Sequence, residues 1–342
     1  MGSLRYSGGF LKIAEIVVKR DNPRTFDGDT MHRRSQMLAE PPNIFRRMYL
    51  RLTHRASHRS CPSAIRWVLV VGLLTSLLMV GERGEAGIMT FTSEDYVFTG
   101  PEQIESGWQT VRLINSGHEV HQIQFLGLPQ GKTVKDVEQA LAGRSPSLPN
   151  WVRRHGGVNS VSPDSEASVV INLDPGDYVL LCGIPDATGR PHVLRGMVRS
   201  FRVIASPSQA AAPPPSDATL RMKDFSFSLA EPLRPGGRIL HVRNEGTQAH
   251  EVVVIRLADG ASTEDFLERY RPGGAPNSAG TEVGGVVGID PDHDAYVHLN
   301  VEPGRYGLIC FLADPVTRIP HFAHGMWMDV EVYPGAAPLE AP

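Results

Sequence analysis

From residue 89 onward, apolar and polar positions alternate in short runs rather than in helical stripes. Residues 111–114 (Val-Arg-Leu-Ile) and 239–242 (Ile-Leu-His-Val) run into Asn-x-Gly turns, and apolar runs follow at 122–126 and 251–255. Residues 167–173 and 295–301 alternate with period two, reach a Pro-Gly turn and lead into 178–182 and 306–310. Final runs cover 197–204 and 326–332. A period of two over five to eight residues, rich in Val, Ile and Tyr and bounded by Gly and Pro, predicts strands. Thr133-x-x-Asp136 and Ser262-x-x-Asp265 instead place a capping hydroxyl three residues before a carboxylate. That predicts one helix start in a long connection of each half.

The pairing of these runs is an internal repeat. Asn115-Ser-Gly-His-Glu-Val-His121 matches Asn244-Glu-Gly-Thr-Gln-Ala-His250 at an offset of 129. Asn172-Leu-Asp-Pro-Gly-Asp-Tyr-Val-Leu-Leu-Cys182 matches Asn300-Val-Glu-Pro-Gly-Arg-Tyr-Gly-Leu-Ile-Cys310 at 128, and Pro191-His192 and Gly196-Met197 match Pro320-His321 and Gly325-Met326 at 129. A Pro/Ala-rich stretch at 206–216 separates the copies and reads as a semi-rigid linker. The expected organisation is all-β: two tandem Greek-key β-sandwich domains at 88–205 and 217–333, followed by a tail at 334–342.

The N-terminal quarter has another character. Residues 67–81 are fifteen uncharged, mostly apolar residues behind a basic flank of Arg46, Arg47, Arg51, Arg55, Arg59 and Arg66. A spanning helix wants about 20 apolar residues and a signal-peptide core about 7–15, so 66–86 reads as an export signal or, uncleaved, a membrane anchor. Gly84-Glu85-Ala86 offers a small-x-small cleavage pattern, and Cys61 would leave with the signal. Residues 1–65 read as a basic, disordered extension, and initiation at Met48 would give a signal of more usual length. The expected location of the remainder is periplasmic or extracellular.

Charge narrows the partners. Residues 1–65 carry 12 Lys/Arg against 5 Asp/Glu, which leaves 22 against 32 in the rest. An acidic domain region argues against nucleic acid, because phosphate recognition needs clustered cations. Three cysteines cannot build a disulfide framework, so each must be read individually.

Four residue types recur at matched places: His121, Cys182, His192 and Met197 in the first copy, and His250, Cys310, His321 and Met326 in the second. Two imidazoles, a thiolate and a weak axial thioether form the donor set that type 1 copper prefers. The sequence resembles the cupredoxins, the blue copper proteins, in both copies. The matching elements are Asn115–His121, Pro175-Gly-x-Tyr178 through Cys182 and His192-x4-Met197, with Asn244–His250, Pro303-Gly-x-Tyr306 through Cys310 and His321-x4-Met326 as their second set. The resemblance implies that the eight named residues are copper ligands, with the methionines axial. It also implies one-electron transfer with a redox protein as donor or acceptor. Nine and ten residues separate Cys from His, more than the family's usual short link.

Other readings stay open at this level. The copies could form a metal-free binding or scaffold module of the cell envelope. A copper oxidase or nitrite reductase fits poorly, because Cys182 and Cys310 have no adjacent His and no His-x-His pair supplies a second centre. The chain is therefore expected not to be an enzyme. His118 competes with His121 as ligand, but Thr247 stands at the matching position, which favours His121. His324, His155, His241, His293 and His298 read as ordinary polar positions.

Overall fold

The computed structural model describes residues 88–143, 147–207, 212–271 and 273–334. The extension at 1–65 and the signal or anchor at 66–86 lie outside the described residues, as does all but the first residue of the tail. Among the described residues no helix is long and apolar enough to cross a membrane.

The described residues are mainly strand, so the all-β expectation holds. The first copy contains β1 (Met89–Glu94), β2 (Val97–Thr99), β3 (Gln103–Glu105), β4 (Gly107–Asn115), β5 (Gln124–Leu128), α1 (Val134–Leu141), β6 (Arg153–Arg154), β7 (Glu166–Leu173), β8 (Gly176–Leu181) and β9 (Val198–Ile204). The second contains β10 (Ala218–Lys223), β11 (Ser226–Leu229), β12 (Gly236–Asn244), β13 (His250–Leu257), α2 (Thr263–Leu267), β14 (Gly280–Ile289), β15 (Asp294–Val301), β16 (Gly304–Ile309) and β17 (Trp327–Val332).

The alternation seen in the sequence becomes a buried face. Val111 and Leu113 of β4, Val169 and Ile171 of β7 and Phe91 of β1 point inward and are fully buried. They meet Phe125 of β5 and Leu180 of β8 in one core that runs through both copies. Each such side chain contributes about 1.5–3 kcal/mol on burial. Phe91, Phe125 and Phe201 pack edge to face at 5.6–5.9 Å; their counterparts are Leu220, Val254 and Val330, so smaller chains fill the same centre in the second copy. From Tyr178 and Tyr306 onward, β8 and β16 are buried on both faces. α1 covers Leu126, Val179 and Leu181, and α2 covers Val253, Ile255 and Ile309. The caps form as read: Asp136 and Asp265 accept the backbone N–H of Thr133 at 2.9 Å and of Ser262 at 2.8 Å.

One eight-stranded sheet runs β11-β10-β12-β15-β7-β4-β1-β2. Its middle pair, β15 and β7, joins the copies antiparallel with Val297 opposite Val169. Those residues are 128 apart, the repeat offset, so an approximate two-fold passes between them. The opposing layer is β14-β13-β16-β17 in one copy and β3-β9-β8-β5-β6 in the other. Residues 155–161 bridge these too, with Val158 opposite Val286, again 128 apart. The copies therefore share both layers.

The first copy departs from the sequence reading after its Asn-x-Gly turn. The predicted strand at 122–126 starts instead at Gln124, because His121 and Ile123 donate their N–H groups to Val161 and Val158 at 3.1 and 2.9 Å. Gly157 (φ +134°) and Gly285 (φ +136°) allow the close approach of these segments. A Cβ would lie 1.9 Å from the Ile123 carbonyl oxygen at the first and 2.0 Å from that of Val252 at the second. Gly157→Ala and Gly285→Ala are each expected to cost at least about 1–3 kcal/mol, lowering the thermal midpoint by several degrees. Unchanged midpoints for both in circular dichroism melts would show that these approaches do not hold the two layers together.

Candidate metal centres

Each centre starts from an Asn-x-Gly turn. The Asn115 side chain accepts from Gly117 N at 2.9 Å and donates to the Glu119 and Val161 carbonyls at 2.8 Å. Asn244 makes the matching bonds to Gly246, Gln248 and Ile289 at 2.9–3.0 Å. Glycine is required at the third position of each turn. A Cβ on Gly117 would sit 2.5 Å from Asp95 Oδ1 and 2.9 Å from His121 Nε2, and one on Gly246 2.5 Å from Asp224 Oδ1 and 2.6 Å from His250 Nε2. The turn thus presses a histidine and a carboxylate together.

The second half of each centre is the Cys-to-His excursion, which folds back on itself. Asp186 accepts from Thr188 N and Oγ1 at 2.8 and 2.6 Å, from Arg190 N at 3.0 Å and from Arg195 Nε at 2.8 Å. Asp314 gathers Val316 N and Thr317 N at 3.0 and 2.6 Å. The returning backbone ties His192 N to Ile184 O at 2.9 Å and His321 N to Leu312 O at 2.8 Å. The extra residues form a closed hairpin, and the histidine comes back to the cysteine.

The His-x4-Met spacing has a local cause. Proline starts a single 3₁₀ turn, His192–Arg195 or His321–His324, and a left-handed glycine ends it, Gly196 at φ 106° and Gly325 at φ 99°. Met197 N then bonds His192 O at 3.0 Å and Cys182 N bonds Met197 O at 3.2 Å, with 2.9 and 3.1 Å in the second copy. Met197 and Met326 are fully buried.

These ties bring three donor atoms together in each copy. His121 Nδ1 lies 3.1 Å from His192 Nδ1, and Cys182 Sγ lies 3.5 Å from His192 Nδ1. The second copy repeats this at 3.1 Å (His250 and His321) and 3.3 Å (Cys310 and His321). Within each triad all donor atoms are within 4.8 Å of one another, and all six residues are fully buried. Metal bonds of about 2.0–2.3 Å to such ligands imply donor separations of about 3–3.7 Å, so the donor set and the two separations given for each triad fit a bound metal ion. Both cysteines are free thiols.

Acceptors behind the rings fix their orientation. Asp95 Oδ1 is 3.2 Å from His121 Nε2 and Asp224 Oδ1 is 2.9 Å from His250 Nε2. An Nε2–H held outward leaves the Nδ1 lone pair facing the centre. Burial would lift the Asp95 carboxyl, but bonds from His118 and His121 outweigh it and hold it at about 2. Glu119 Oε2 comes within 2.7 Å of His192 Nε2, off the direction a hydrogen bond prefers, so the contact is electrostatic. Gln248 Oε1 lies 3.1 Å from His321 Nε2.

Burial lowers His121 and His250, and with the neighbouring His250 lowers His321 to about 4. These imidazoles are neutral at neutral pH, their lone pairs free. Burial pushes the Cys182 thiol up to about 12, although the N–H groups of Gln122 and Ile184 donate to its sulfur. Cys310 rises likewise, with N–H donors from Glu251 and Leu312. Glu251 is itself a buried carboxyl, pushed up to about 7 by desolvation while bonded to Phe311 N at 3.1 Å.

Of the eight predicted residues, six form the two triads, and Met197 and Met326 are tied by backbone to the same Cys and His. His118 is exposed and bonded to Asp95, outside the triad. His324 is exposed beside Phe225; His155, His241, His293 and His298 lie outside both triads. The sequence reading missed Asp95, Glu119, Asp224, Gln248 and Glu251. Asp95 and Asp224 stand 129 apart, and Glu119 and Gln248 lie inside the recognised motif; the repeat alignment could have flagged all four.

No protein-family model and no curated protein matches this chain. Among solved structures it is similar to a blue copper oxidase from Nitrosomonas europaea (14% identity, 75% of this chain and 88% of that one, TM-score 0.23). It is also similar to a reduced auracyanin from Roseiflexus castenholzii (18%, 34% and 95%, TM-score 0.24) and to a copper nitrite reductase from N. europaea (13%, 74% and 96%, TM-score 0.22). Likeness at scores this low carries no functional weight; the triads do.

In metal-free protein followed by NMR, the His321 ring should titrate near pH 4. His118, held by the Asp95 carboxylate, should titrate above the ordinary imidazole value of 6.5. A His321 midpoint at 6.5 would mean that the ring is not shielded from water as described.

Proposed function

We propose that the chain is an exported copper-binding protein made of two tandem, cupredoxin-like Greek-key sandwiches, with a type 1-like centre in each copy, serving one-electron transfer. The observation that carries this reading is the convergence of the same donor set, at the same separations, in two copies whose Cys-to-His loops differ in length and sequence.

The chain's own residues have separate tasks. His121, Cys182 and His192 would hold one ion and His250, Cys310 and His321 the other, with the Met197 and Met326 thioethers as weak further donors. Bound there, copper supplies exchange of a single electron between its cuprous and cupric states. The fully buried triads exclude water. The backbone N–H groups aimed at each sulfur stabilise a thiolate, and Asp95 and Asp224 hold the imidazoles in the coordinating tautomer. Donor atoms tied down before an ion arrives move little when its charge changes, which suits electron transfer. The partner is a redox protein, and residues 66–86 carry the chain out of the cytoplasm.

Titration with Cu(II) should load about two ions per chain and produce an intense thiolate-to-copper visible band. Cys182→Ser and Cys310→Ser should each remove one equivalent, and the double variant both. In the second centre His250 and His321 are neutral and the Cys310 thiol is protonated, so uptake there near pH 7, read in Cys182→Ser, should release about one proton per ion. Affinity therefore rises with pH, and it falls in acid once the imidazoles bind protons. Calorimetry in buffers of different ionisation enthalpy reads that proton. Failure of copper to bind, with both thiols verified as reduced, would leave a metal-free scaffold as the better description.

A further inference from the structure

We propose that Glu119 and Gln248 set the two centres to different reduction potentials, the Glu119 carboxylate favouring the oxidised ion in the first copy and the Gln248 amide leaving the second without that bias. The inference rests on copper occupying the triads. The two residues are 129 apart, so they are one repeat position with two chemistries. Both approach Nε2 of the second imidazole, Glu119 Oε2 at 2.7 Å from His192 and Gln248 Oε1 at 3.1 Å from His321.

The surroundings fix each role. Tyr96 Oη donates to Glu119 Oε2 at 3.5 Å, and the Tyr96 ring packs edge-on against His192 at 5.1 Å. The neighbouring cation, Arg195, is engaged by Asp186 rather than by Glu119. Gln248 donates its amide N–H to Asp314 Oδ2 at 3.4 Å, which turns its carbonyl oxygen toward His321. A carboxylate against one imidazole edge makes the other nitrogen a stronger donor and lowers the cost of positive charge at the ligand. A neutral amide orients the ring without that charge. Glu251 lies on the thiol side of the second centre, where the first has Gln122. Comparing each centre with its own variant leaves that difference constant.

The test isolates one centre at a time, with Cys310→Ser silencing the second and Cys182→Ser the first. In the first, Glu119→Gln should shift the preference for Cu(II) over Cu(I) about tenfold toward Cu(I), a rise of about 59 mV in potential. In the second, Gln248→Glu should shift it about tenfold the other way. Glutamine has the size and shape of glutamate, so the His192 tautomer seen by NMR in metal-free Glu119→Gln should be unchanged. Shifts of the stated signs with intact tautomers support the assignment. Potentials that move less than twofold-equivalent, or in the same direction, overturn it while copper binding stands. If neither centre binds copper, both readings fall.

Discussion

Each candidate centre depends on a small set of backbone hydrogen bonds that close the chain on itself next to the cysteine. Cys182 donates to the carbonyl of Met197 and receives, at its own carbonyl, the N–H of Val193; Cys310 does the same with Met326 and Phe322. A single bond of this kind is worth only about 0.5–1.5 kcal/mol net. Acting together, they convert a nine- or ten-residue excursion into a hairpin whose end is fixed before any ligand arrives. Loop-closure entropy grows only with the logarithm of length, so the added residues cost little once Asp186 and Asp314 organise them internally.

With the frame closed, burial and the outer carboxylates cooperate. Removal from water keeps His121, His250 and His321 neutral, and Asp95 and Asp224 direct the protons of His121 and His250 outward. The same burial disfavours a free thiolate, which is why each sulfur receives two backbone N–H groups. The arrangement is costly for a protein that only needs packing. Two facing Nδ1 atoms and a thiol in a dry pocket gain most from a cation between them.

The two candidate centres belong to one body because the copies share both layers across an approximate two-fold. Pairing at Val169 with Val297 and at Val158 with Val286 is symmetric in backbone. The side chains at the seam are not. Gln124 donates to the Gly288 carbonyl, and Asn159 reaches Glu251, whereas the counterparts of Gln124 and Asn159 are Val253 and Val287. Matched backbone pairing with differing polar side chains lets two equivalent donor sets sit in unequal electrostatic surroundings.

The strands, the repeat, the helix caps and the identity of the clustered histidines and cysteines were legible along the chain. Each is a local pattern: alternation, a capping pair, or a residue type repeated at one offset. Fusion of the copies was not legible, because strand pairing at β7 and β15 joins residues 128 apart through backbone groups that every residue carries. The repeat offset marks the carboxylates behind the rings as matched positions but not their role, since Asp95 reaches His121 only after β1 lies beside β4. Above all, a long Cys-to-His link reads in sequence as a threat to the centre. Only folding could decide that it returns, because the closing bonds run between backbone atoms whose positions no side-chain pattern encodes.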